Sequence, residues 1–169
     1  MARVLHRVGW IGLTVVGAFL LFGVTADLTG DHRTGIPTDH AATFTALAGH
    51  TFASTTQATP GVARYITTLE VGYALHEATF ALLFVALVVC GVRRRQLWTW
   101  WSCWAVMIAD VGYTVTFGRH DPTILARSLV AVIAVPVFLA LCAPLVLRHT
   151  ASSSLDGSVP VKTPGAATI

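Results

Sequence analysis

The sequence predicts an all-α integral membrane protein: a bundle of four transmembrane helices, both termini in the cytoplasm, with one longer outer loop that holds a short surface helix. Three observations predict it. Of 169 residues, 54% are hydrophobic and only 11% charged, and the mean hydropathy is +0.69, far from the balance of a soluble globular domain. The apolar residues gather in four stretches, each close to the ~20 residues that carry a helix across a hydrocarbon core of about 30 Å. Between the second and third stretches, Arg93, Arg94 and Arg95 occupy a turn too short to leave the membrane surface, and the positive-inside rule puts that turn in the cytoplasm.

The first stretch, residues 8–26, follows a basic start containing Arg3 and Arg7. Val24, Thr25 and Ala26 before Asp27 are small enough for a signal peptidase, but the apolar run is longer than a signal core, so it reads as a retained helix. Gly9, Gly12, Gly17 and Gly23 suit it to close packing against neighbouring helices. The second span covers residues 66–90, and the third, residues 97–117, is bounded by charged turns. The fourth covers residues 123–147, with Asp121 as its cap and Pro122 in its first turn. Pro136 and Pro144 inside it read as a kink and a terminal loosening.

With alternating directions, Arg3, Arg7, the arginine triplet, Arg148 and Lys162 fall inside, against Arg33, Arg64, Arg119 and Arg127 outside, a bias of seven to four. Trp10, Trp98, Trp100, Trp101 and Trp104 then gather at the inner interface, where an indole buries its ring and keeps its N–H wet. Cys90, Cys103 and Cys142 fall toward the same reducing side and no Cys-x-x-Cys occurs, so neither a disulfide nor thiol oxidoreductase chemistry is expected. Residues 1–149 thus form the membrane domain. Residues 150–169, rich in Ser, Thr, Pro and Gly, read as a flexible cytoplasmic tail.

The outer loop, residues 28–65, is long for a bundle connection. Thr38 is placed to cap a short helix reaching Gly49, with His40, Phe44 and Leu47 on one face, lying on the membrane surface. Pro37 and the run Thr59, Pro60, Gly61 break the chain on either side.

Candidate functional residues are those that a bilayer should reject. Glu70, Tyr73 and Glu77 form one helical stripe, and Asp110, Tyr113, Thr114 and Phe117 form another, while His76 lies off the Glu70 stripe. At a rise of ~1.5 Å per residue, Glu77 lies about 6 Å, Tyr113 and Arg127 about 7 Å and Asp110 about 11 Å below the outer boundary. A charge at depth costs about 2.5–3.5 kcal/mol and normally pairs inside the bundle, which makes Arg127 the expected counter-ion. One arginine cannot neutralise both Glu77 and Asp110, so one carboxylate is left as a proton site.

Other chemistries find less support. The net charge of +3 sits at segment ends and not along a polar face, which argues against nucleic acid. His32, His40, His50 and His120, with Asp39 and Asp121, match no metal-ligand spacing and read as solvated loop residues. Only His76 falls inside an expected span, so bis-axial haem ligation is not expected, and no cofactor is. His76 and Glu77 begin a His-Glu-x-x-His pattern, but Phe80 stands where the second histidine belongs.

In outline, across residues 8–147, the chain resembles small four-helix bacterial membrane families such as the DoxX-like proteins. The placement of its intramembrane carboxylates is similar to that of sterol-isomerase-like membrane domains. The resemblance implies a four-helix membrane fold; no family motif matches, so it brings no activity and no site residue.

The sequence therefore points to a bundle that binds or moves a small amphipathic or lipid-like ligand at an outward-facing polar site made by Tyr73, Glu77, Asp110, Tyr113 and Arg127. One alternative is acid/base chemistry on a lipid. The other is an accessory or self-associating subunit, using the glycine-rich first helix and the tryptophan-rich start of the third to meet a membrane-protein partner.

Overall fold

The computed structural model describes residues 1–156, which are helical almost throughout. In chain order the helices are α1 (Ala2–Thr34), α2 (His40–Ala48), α3 (Phe52–Ala58), α4 (Pro60–Cys90), α5 (Leu97–Cys103), α6 (Val106–Phe117) and α7 (Pro122–Asp156), with a 3₁₀ turn at Val92–Arg94. Three helical segments are long and apolar enough to cross a membrane: Ala2–Thr34, Pro60–Arg94 and Ile124–Arg148.

Residues 97–117, expected as one span, are divided between α5 and α6. At the break, the amides of Trp104, Ala105, Met107 and Ile108 bond to carbonyls three residues back, a tightening that interrupts the α-helix. Crowded indoles occupy this turn. Trp100 donates its Nε1–H to the Leu139 carbonyl of α7 at 2.9 Å and meets Trp101 and Trp104 edge-on.

Helix α1 lies between α4 and α7 and packs along both. A lipid phase gives apolar side chains no reason to leave it, so helices associate through close contact and polar bonds, which small residues permit. A Cβ on Gly9 would stand 2.6 Å from Cys142 Sγ and 2.7 Å from the Phe138 carbonyl oxygen; one on Gly12 would enter the Phe138 ring. One on Gly17 would stand 2.5 Å from a Val85 methyl, whereas Gly23 meets nothing. Three of the four glycines expected at contacts are therefore at them. Leu13, Phe84, Val88, Val135, Leu139 and Cys142 fill the seam and are fully or almost fully buried.

Polar contacts lock one end of this seam. His6 Nε2 is 3.0 Å from the Val92 carbonyl, the Cys142 thiol reaches the His6 carbonyl at 3.7 Å, and Arg93 stacks over Trp10. The start of α1, the end of α4, the start of α5 and the later half of α7 thus share one end of the molecule. All three cysteines carry free thiols.

Helix ends run beyond the expected apolar limits. Helix α1 continues to Thr34, where Gly35 turns the chain at φ +85° and its carbonyl accepts the Thr67 hydroxyl of α4. Helix α4 begins with Pro60 in its first turn. The Ile124 amide donates to Asp121 Oδ1 at 3.4 Å, the cap anticipated for the last helix. Helix α7 passes Thr150 and reaches Asp156, into the stretch read as a tail; residues 157–169 lie outside the described residues.

The segment between α1 and α4 departs most from expectation. Helix α2 does end at Gly49, in a left-handed conformation, but its N-cap is Asp39, not Thr38, and makes no side-chain cap bond because its carboxylate is drawn to Arg127. A further helix, α3, follows, capped by Thr51. Helix α2 turns His40 and Thr43 inward, 4% and 3% exposed, and leaves Leu47 outside at 66%. Ile36, Phe52 and Ala63 make a small second core beneath it.

The glycine seam predicts a contrast between two like substitutions. Gly9→Ala should lower the detergent melting temperature, at an overpacking cost of about 1–3 kcal/mol, because a backbone carbonyl must move. Gly23→Ala should leave it unchanged or slightly raised.

Candidate functional site

The polar residues of the far end are organised around His40. Helix α2 presents this imidazole to the bundle, where Nδ1 lies 3.0 Å from Glu70 Oε2 on α4 and Nε2 lies 3.1 Å from the Tyr113 hydroxyl on α6. The ring stacks on Phe117 with centroids 5.1 Å apart and planes 11° from parallel, and Tyr113 stacks on Phe117 in turn. Tyr73 closes another side at 6.4 Å. One loop histidine thereby ties together α2, α4 and α6.

Burial by itself disfavours charge on His40. The hydrogen bond to Glu70 and the negative charges of Glu70, Asp39 and Asp27 outweigh it, so its pKa stands above the ordinary value. With Glu70 accepting from Nδ1–H, the imidazolium form is the one this surrounding favours.

Carboxylates converge on the same end from four helices. Asp27 and Asp31 come from α1, Glu70 and Glu77 from α4, Asp110 from α6, and Asp39 from the start of α2. Asp31 is 4% exposed, and neither of its carboxylate oxygens has a hydrogen-bond partner among the described residues; the same holds for Asp110 Oδ2 and the Thr43 hydroxyl. His40 and Glu70 are the charged groups that act on Asp31, while Asp27, Asp39, Asp110 and His40 act on Glu77.

Of the residues anticipated from sequence, Glu70, Tyr73, Glu77 and Tyr113 are brought to this cluster, and Asp110 lies near enough to act on Glu77 and Tyr73. Arg127 is oriented differently. Its guanidinium pairs with Asp39 at 3.5 Å and its side chain is 62% exposed, so it serves the start of α2 and not Glu77 or Asp110. A long arginine stem near a helix start carries its charge outward, where hydration costs least. Neither Glu77 nor Asp110 has an ion-pair partner among the described residues. His76 stays outside the cluster, exposed and bonded through Nδ1 to the Gly72 carbonyl of its own helix.

Sequence reasoning missed His40, Asp27, Asp31 and Asp39 as site residues. The helical face of His40, Phe44 and Leu47 was the available signal, since a histidine leading an apolar stripe belongs to whatever that stripe buries. Two other loop histidines do not join it: His50 bonds to Thr55, and His120 accepts from Arg119. Among the described residues no three His, Cys, Asp or Glu side chains converge to hold a metal ion.

No protein-family model matches the chain, and no curated protein or solved structure matches it. The outline resemblance to DoxX-like and sterol-isomerase-like proteins thus has no family match behind it, and the site stands on its geometry.

The His40 contacts have a sign that pH reveals. Because folding raises its pKa, the stabilisation is fully present below the ordinary value of about 6.5 and is lost as pH rises through the raised value. His40→Gln should therefore lower the melting temperature at pH 6, by an amount equivalent to about 1–3 kcal/mol for the buried groups left unpaired. The gap to wild type should shrink in a melt at pH 9.

Proposed function

We propose that this is a four-crossing protein of a bacterial plasma membrane, both termini cytoplasmic, that binds or moves a small amphipathic or lipid-like ligand at a polar site near its outer face. In this reading α5 and α6 together make the third crossing. Their combined run of residues 97–117 has the length that a span needs, and the segments before and after it, Pro60–Arg94 and Ile124–Arg148, are each long and apolar enough to cross. The orientation rests on the arginine triplet and on Arg3, Arg7 and Arg148, all near the end where α1 starts and α7 finishes.

One observation carries the ligand reading. A histidine from an outer segment is buried among carboxylates and aromatic rings from separate helices, while several of those carboxylates lack partners. Ionisable groups at membrane depth are costly and persist where they serve a pathway or site. If they only held the helices together, each would be paired; Asp31, Glu77 and Asp110 are not.

Acid/base chemistry on a lipid is the second reading, favoured by the contact of His40 with Glu70 at 3.0 Å. It requires turnover of the bound lipid, lost in both His40→Gln and Glu77→Gln.

Two measurements test the proposal. Native mass spectrometry of gently purified protein should find a monodisperse species with bound lipid, and Glu77→Gln and Asp110→Asn should lose that lipid while melting within a few degrees of wild type. Large, equal losses of stability in both variants would instead make these carboxylates structural. A fluorescent-protein fusion at residue 169 should be bright and an alkaline phosphatase fusion there inactive; the reverse pattern would refute a cytoplasmic C-terminus.

A further inference from the structure

The end of the molecule opposite His40 concentrates charge of the other sign. Arg3 and Arg7 stand in the first two turns of α1, and Arg93, Arg94 and Arg95 fill the turn after α4. The His6 ring, 3.0 Å from the Val92 carbonyl, holds these two pieces of chain together. None of the five arginines has an ion-pair partner among the described residues, whose ion pairs are those of His40 with Glu70 and Arg127 with Asp39.

These cations are held in place. Arg3, Arg7 and Trp10 follow at i, i+4 and i+7 and share one face of α1. The Arg93 guanidinium lies over the Trp10 ring, 5.3 Å from its centroid, which brings a cation of the turn onto that same face. Arg95 comes near enough to His6 for its charge to act there. The turn itself is bonded: the Arg95 amide donates to the Val92 carbonyl at 2.9 Å and the Gln96 amide to the Gly91 carbonyl at 3.1 Å. Arg95 takes φ +63°, a left-handed conformation that suits glycine, yet the side chain it carries is a guanidinium.

The neighbouring side chains indicate what the cations meet. Trp98 and Trp101, just after the turn, are 62% and 59% exposed. An indole, with its apolar ring and polar N–H, belongs where hydrocarbon meets headgroups. At that depth a guanidinium without a carboxylate has phosphate oxygens within reach and matches them with two parallel N–H donors. A soluble polyanion would leave the indoles in water, whereas a lipid layer covers both. A zwitterionic headgroup offers the same phosphate but brings its own ammonium, so net charge selects between lipids.

We propose that the face formed by Arg3, Arg7, Trp10 and the arginine turn binds the headgroup of an anionic phospholipid in the leaflet at that end, with Trp98 and Trp101 in the same interfacial layer. This surface is separate from the His40 cluster and does not rest on the ligand reading given above.

The chain carries its own reporter. Trp10 lies under Arg93, and Trp98, Trp100, Trp101 and Trp104 follow the turn, so the fluorescence of all five tryptophans reports this end and not the His40 end. The full chain is reconstituted in phosphatidylcholine vesicles, with brominated phosphatidylglycerol or brominated phosphatidylcholine as the quencher. The phosphatidylglycerol should bind at least about fivefold more tightly, the scale of one arginine at a charged surface. Arg7→Gln with Arg93→Gln should cut that preference at least about twofold. Arg7→Lys with Arg93→Lys should keep most of it, and Arg64→Gln, at the other end of α4, should leave it unchanged.

Equal quenching by the two lipids would overturn the proposal, and this comparison needs no variant. A preference left intact by Arg7→Gln with Arg93→Gln in a folded, reconstituted protein would overturn the assignment to this face. A preference erased by millimolar inorganic phosphate at constant ionic strength would mark a site for soluble phosphate and overturn the lipid assignment. Loss of lipid in Glu77→Gln or Asp110→Asn bears on the other end alone and should not move this quenching.

Discussion

The close approach of α1 to α7 and α4 at Gly9, Gly12 and Gly17 is the contact on which the other arrangements depend. In hydrocarbon, an apolar side chain is as well solvated by lipid as by protein, so helices gain by fitting together more tightly than lipid fits either of them. Missing side chains on α1 let Phe138, Cys142 and Val85 move in. The seam then fills with Leu13, Phe84, Val88, Val135 and Leu139, and residues that a bilayer would have accepted become a core.

That placement of α1 has consequences at both of its ends. At the start, it brings His6 to the carbonyl of Val92 in the arginine-bearing turn, a carbonyl that also accepts the Arg95 amide, so a side chain from another helix braces that turn. At the finish, it carries Asp27 and Asp31 to the end of the molecule that holds His40 and Glu70. The end that holds His6 and Val92 is closed by bonds between side chains and backbone. The opposite end gathers carboxylates faster than it gathers partners for them.

The segment between α1 and α4 answers part of that imbalance. Its short helices α2 and α3 sit over the bundle, and their first contact is ionic: Asp39 takes Arg127, and His40 takes Glu70 and Tyr113. A guanidinium that might have neutralised Glu77 or Asp110 is thereby held at the rim. That end is left with a stacked aromatic wall, a histidine committed on both ring nitrogens, and acids with no ion-pair partner among the described residues.

Much of the fold was legible in the sequence, since it follows from quantities that add along the chain. Apolar length predicted the long helices, glycine spacing predicted the faces that touch, and Asp121 with Pro122 predicted where the last helix begins. The break between α5 and α6 was not legible, because it depends on how Trp100 reaches the Leu139 carbonyl of a different helix. Within the site, helical periodicity aligned Glu70, Tyr73 and Glu77 on α4, and depth placed Tyr113 level with them. Periodicity and depth describe one helix at a time, and neither specifies how a loop folds back. The sequence alone therefore determined which residues a membrane would find costly. Only the tertiary structure decided which of them are paired, because pairing is set by three-dimensional distance: it gave Arg127 to Asp39, drew His40 inward to Glu70 and Tyr113, and left Asp31 buried with neither oxygen bonded.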